Sequence, residues 1–96
     1  MTMNYNDAIT ADAIIRVVRT AVRAYATVTM RYKSYHATWK MQETADRYFQ
    51  NWNMLEDFID YGIQLLENEY HMALPAHIHK AYIRNQDLRE TLITEG

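Results

Sequence analysis

Four histidines, His36, His71, His77 and His79, are the side chains of this 96-residue chain best suited to metal chemistry. Di-iron helical bundles use Glu-x-x-His on two helices, so that both ligands point inward one turn apart. Here the only comparable spacing is Glu67-x-x-x-His71, and it occurs once. On a helix that pair falls on a polar strip, where it reads as a weak solvated pair. His77 and His79, two residues apart, face different ways on a helix and cannot chelate one ion locally. Glu56, Asp57 and Asp60 form the densest carboxylate group. Paired carboxylates do acid–base work when burial separates their pKa values, and a polar strip is normally wet. Neither a metal nor a cofactor is expected.

A second candidate is basic. Arg16, Arg19 and Arg23 share one helical face, with Arg31 offset from them. Arginines at three- and four-residue spacing can track phosphates and give a salt-dependent affinity for nucleic acid. They serve equally as the solvated back of an amphipathic helix, and the acidic remainder of the chain would repel the same polyanion. Small helical mutases that grip a dicarboxylate need Arg and Lys inside the bundle, whereas the apolar seam here is filled by Ile, Val, Ala and Tyr. With no cysteine, no Gly-rich loop and no nucleophile beside an evident base, the chain is not expected to be an enzyme.

The elements that carry these residues are helical. Gly62 is the only glycine before Gly96 and Pro75 is the only proline, which leaves little material for hairpins or phosphate loops. Ile14, Val18, Ala21, Tyr25, Val28, Tyr32, Tyr35 and Trp39 alternate four- and three-residue spacing, predicting a helix over about 10–37 with Thr10 as N-cap and Asp12 in its first turn. Ile15, Val17, Val22 and Ala24 flank this seam on both sides, so the helix should touch two neighbours. Ala45, Tyr48, Trp52, Leu55, Ile59, Ile63, Leu66 and Tyr70 predict a second helix over about 43–72. The two seams cannot be joined in phase, because Gln42 and Asp46 fall where the first would continue, and a turn is expected near residues 38–44; with neither Gly nor Pro there, one kinked continuous helix is the alternative. A third, shorter helix over about 75–93 starts at Pro75 and carries Leu74, Ile78, Ala81, Leu88 and Leu92, with Asn85 in line.

Helix 2 has a second apolar stripe, Met54, Phe58, Tyr61, Leu65 and, further on, Met72, turned well away from its seam. A helix apolar on so much of its circumference is central in a bundle or lies between chains. Eight Tyr and two Trp are many for this length. Tyr32, Tyr35 and Trp39 are expected to meet Tyr48, Phe49 and Trp52 at one end of a hairpin.

Charge is segregated. Residues 10–40 carry six basic groups against Asp12, while residues 41–70 carry seven acids against Arg47, within a net charge of −2. A basic helix folded antiparallel onto an acidic one is electrostatically sensible. No apolar run approaches the roughly 20 residues needed to cross a bilayer. The start has no basic region followed by an apolar core, and the absence of cysteine suits a reducing compartment, so a cytoplasmic location is expected.

These features predict an all-α domain: an antiparallel hairpin of two long helices plus a shorter third, self-associating or binding a larger protein as a small inhibitor or adaptor. Its contact residues would be Met54, Phe58, Tyr61, Leu65 and Met72 with the neighbouring face of helix 3. The rival expectation is a nucleic-acid-binding dimer using Arg16, Arg19, Arg23 and Arg31.

Overall fold

The computed structural model describes residues 5–35 and 42–95 as three helices: α1 Tyr5–Tyr35, α2 Gln42–Tyr70 and α3 Ala76–Glu95. Val18 lies against Gly62, Tyr25 bonds Glu56 and Thr29 bonds Trp52, so α1 and α2 run antiparallel. The chain therefore reverses between residues 35 and 42 rather than continuing as one kinked helix; the turn itself, with His36 and Trp39, lies outside the described residues. α1 packs against both α2 and α3. It is the central helix, with the two neighbours that its flanked seam predicts, and α2, whose broad apolar arc allowed either a central place or one between chains, is not central.

The seam residues from Ile14 to Tyr32 and from Tyr48 to Tyr70 are buried or half-buried where the spacing placed them, while Trp39 lies outside the described residues. Val18, Ala21 and Tyr25 of α1 close onto Trp52, Ile59 and Leu66 of α2, with Leu74, Ile78 and Tyr82 added from the third segment. At the turn end, Tyr32 meets Trp52, Tyr48 and Phe49 with ring centroids 5.0, 5.9 and 6.2 Å apart. The edge-on and tilted rings match the arrangement their quadrupoles favour.

Local chemistry shifted two boundaries. Thr10 does not cap α1, which starts at Tyr5 with Asp7 in its first turn. The Thr10 hydroxyl donates instead to the Asn6 carbonyl at 2.9 Å, the back-bond that a mid-helix threonine makes. Asp12 accordingly sits in the helix interior and bridges Arg16 at 2.9 Å. At its other end α2 stops at Tyr70, and His71 takes a left-handed conformation with φ 52°. The Met72 amide then returns to the Leu66 carbonyl at 3.0 Å, and Pro75 precedes α3 with its carbonyl accepting from Ile78 and His79. His71 thus stands past the end of α2, and the helical Glu67/His71 pair does not form.

At Gly62, α1 and α2 approach closely. A Cβ there would overlap the Val18 Cγ2 methyl, and Val18 is itself buried and stiff at χ1. The close neighbour that Gly62 admits is α1 of the same chain. Gly62→Ala gains helix propensity but overpacks this contact, with an expected net loss of ~1–2 kcal/mol, readable as a fall in Tm of several degrees by circular dichroism.

Candidate protein-interaction face

Two surfaces of α2 lead to different places. The edge bearing Asn53, Glu56 and Asp60 turns toward α3, and the edge bearing Met54, Phe58 and Tyr61 turns away from it.

The α3 side is a closed polar layer. The Tyr25 hydroxyl and the Arg89 Nη1 both donate to Glu56 Oε1 at 2.5 Å, and Arg89 Nη2 donates to Asn53 Oδ1 at 3.1 Å. The Arg89 guanidinium lies 4.9 Å from the Trp52 ring centroid. Tyr82 donates to Asp60 at 3.1 Å and packs edge-on against Tyr25. Trp52 Nε1 donates to the buried Thr29 hydroxyl, which in turn donates to the Tyr25 carbonyl. Among the described residues no buried side-chain nitrogen or oxygen lacks a partner.

The electrostatics of this layer are those of a locked contact. Burial raises the Tyr25 phenol well above its ordinary value, reinforced by the bond to Glu56 and opposed by Arg89. Burial raises Tyr82 likewise, with the Asp60 charge next. For Arg89, burial pulls the other way, but the bonds to Tyr25 and Glu56 outweigh it and the guanidinium is held above its usual range. Phenols that keep their protons have little to offer as an acid or base near neutral pH. Arg89 lies largely covered on α3, outside the α1 seam, and Glu56 neutralises it. The signal for Arg89 was present in the spacing: Ile78, Tyr82, Asn85 and Arg89 follow one helical line.

The opposite side is open. Met54 is 70% exposed, Tyr61 66%, Val17 50% and Phe58 48%. Phe58, Tyr61, Gly62 and Leu65 line a shallow groove of about 250 Å³ together with Thr10, Ala13, Ile14, Val17 and Val18 of α1. The companion of the second stripe is therefore α1, not the face of helix 3 that was expected. Of the two flanks of the α1 seam, Val22 and Ile15 are covered, whereas Val17 and Ala24 are exposed. Met72 is not part of the groove; it sits in the α2–α3 connection, half-buried against the core.

Comparison of the chain with known families, curated proteins and solved structures finds no match. Function therefore rests on the surface itself.

The remaining candidates stay apart. Arg16, Arg19, Arg23 and Arg31 are all exposed along α1, with Arg16 bridged to Asp12. His71, His77 and His79 are exposed, and among the described residues no three His, Asp or Glu side chains are grouped as metal ligands would be. No described helix is long and apolar enough to cross a membrane.

Proposed function

We propose that this chain is a non-enzymatic protein-interaction module that acts in the cytoplasm as a small inhibitor or adaptor, with the α1/α2 groove as its contact face. One observation carries the reading: Val17, Phe58 and Tyr61 lie about half or more exposed beside Leu65 along one apolar groove, with exposed Met54 one turn further along the same face of α2. Contiguous apolar surface of this kind marks interfaces, and its aromatic and methionine content matches that of interface centres. The other broad face of α2 is already satisfied by Tyr25, Tyr82 and Arg89, and the exposed large apolar side chains of α2, Met54, Phe58 and Tyr61, all lie on this side.

Nucleic-acid binding by the arginine stripe has less in its support. The stripe runs beside an α2 rich in acids, and Arg16 already has an acidic partner. Such binding would weaken steeply with added salt.

Phe58→Asp with Leu65→Asp is the direct test. Both positions border solvent, so helicity and Tm should change little, while affinity for whatever occupies the face should fall ~100-fold or more. Sizing with light scattering and affinity capture from the source cell read the result. Unchanged association by both measures, with the fold intact, would exclude this face.

A further inference from the structure

We infer that the occupant of the α1/α2 groove is a second copy of the chain, related by a two-fold axis parallel to the helices, so that α1 of each copy packs on α2 of the other. This rests on the groove being the contact face, and adds the partner and the pairing.

Size and charge both select that arrangement. On the groove side α1 presents small side chains, Ala13, Val17, Thr20, Ala24 and Thr27, at helical three- and four-residue spacing, all exposed. On the same side α2 presents large ones, Met54, Phe58, Tyr61 and Leu65. Two symmetric ways exist to lay one such face on another. If like helices meet, large side chains confront large ones over α2 and small confront small over α1. If unlike helices meet, each row of large side chains enters a row of small ones, as knobs enter holes. The second arrangement also sets the basic α1 against the acidic α2 of its mate, whereas the first sets like charge on like.

The axis fixes the register. Rotation about a line parallel to the helices leaves height along the bundle unchanged, so α1 of one copy stands against α2 of the other at the level already set within each chain. Val18 is level with Gly62. Arg23, five residues after Val18, is therefore level with Asp57, five residues before Gly62. Both are exposed, Arg23 bordering the small row beside Thr27 and Asp57 bordering the large row beside Tyr61. Within one chain these two residues lie on opposite outer edges of the hairpin; in the dimer they lie on the same edge and pair twice. The contact is centred between the levels of Asp57 and Leu65, away from the positive charges of Arg31 and Arg47 near the turn.

The area agrees. A folded monomer of this mass exposes about 5,800 Å² on average. This chain exposes 7043 Å² as a rod of 54 × 20 × 16 Å. A standard interface removes about 800 Å² from each partner, less than the excess of this chain over a compact monomer.

The test is sedimentation equilibrium of the whole chain across a wide concentration range, with Arg23→Asp and Asp57→Arg made separately and then mixed. The expected result is a dimer that each single variant weakens by about three- to tenfold, because each places two like-charged pairs at the rim, and a mixture that forms the heterodimer preferentially, because both pairs are then opposite again. A chain that stays monomeric throughout overturns the second-copy inference; the contact-face reading then stands or falls on whether Phe58→Asp with Leu65→Asp abolishes capture of another protein. A dimer whose mass survives Phe58→Asp with Leu65→Asp overturns both. A dimer lost in that double variant, but with no preference for the mixed heterodimer, overturns the pairing of unlike helices.

Discussion

Trp52→Ala should be the most damaging single truncation in the chain, lowering stability by ~4 kcal/mol. Trp52 is fully buried, sits among Tyr32, Tyr48 and Phe49, and carries Arg89 over its face. Removing the ring leaves a cavity bounded by stiff aromatic side chains that cannot collapse into it. It also deprives the Thr29 hydroxyl of its donor, although that hydroxyl keeps its own bond to the Tyr25 carbonyl. For a domain of this size a loss of ~4 kcal/mol corresponds to a fall in Tm of about 20 °C and takes most of a typical folding free energy. Trp52→Phe keeps the apolar ring and drops the indole bond, so it should retain more than half of what alanine loses. Urea titration followed at 222 nm separates the two variants; equal midpoints for Trp52→Ala and the unaltered chain would mean that this end of the hairpin is not the packed core described here.

Much of this core was legible because helical spacing states it directly. Val18, Ala21 and Tyr25, and then Trp52, Ile59 and Leu66, recur at the intervals a buried stripe requires, and the loss of phase between Trp39 and Ala45 marked the reversal. What the spacing could not state was which flank of α1 the third helix would cover. Val22 and Val17 are chemically alike and lie on either side of one seam, so periodicity treats them equally. The choice was made by polar groups far apart in sequence: Tyr82 reaches Asp60, and Arg89 reaches Glu56, from a helix whose own apolar line is weak. Carboxylates on a helix read as solvated until their partners are known, which is why this edge of α2 resembled an ordinary wet strip.

The open face was half legible for the same reason. Met54, Phe58, Tyr61 and Leu65 form a visible second stripe, but its companion could be assigned only once α3 was known to lie on the other side. Helix ends were the other weak point. Thr10 has the right side chain for a cap, yet Ala8, Ile9 and Ala11 continue the helix around it, and a threonine hydroxyl can bond the carbonyl four residues back as readily as it caps.

Arg89→Ala should be the second most damaging change, costing ~2–4 kcal/mol, because it leaves the half-buried Glu56 carboxylate without its cation, bonded by Tyr25 alone, and uncovers the Trp52 face. The pair is not fully dry, with side-chain exposures of 15% for Arg89 and 24% for Glu56, which keeps the loss below that of a wholly buried ion pair. The loss is mostly that of an abandoned charge, so removing the whole polar unit should restore much of it. Tyr25→Phe with Glu56→Met and Arg89→Met leaves only the Asn53 amide without its Arg89 partner, at an exposed position where water replaces it, and is expected to fold with most of the original stability. If Arg89→Ala and the triple variant melted alike, the contribution of Arg89 would be packing rather than charge.

The same layer sets the alkaline limit of the fold. Both buried phenols are held above their ordinary value of 10.0, chiefly by burial and then by the neighbouring carboxylates. A raised phenol means that the folded chain keeps a proton the unfolded chain gives up. Their contribution is therefore complete below pH ~10 and is lost as the pH climbs from there toward the folded-state values. Tyrosinate absorbance at 295 nm and helicity at 222 nm, followed together, should show the last two tyrosines ionising only as the helices melt, with the transition displaced to lower pH in Arg89→Ala because less stability remains to be overcome.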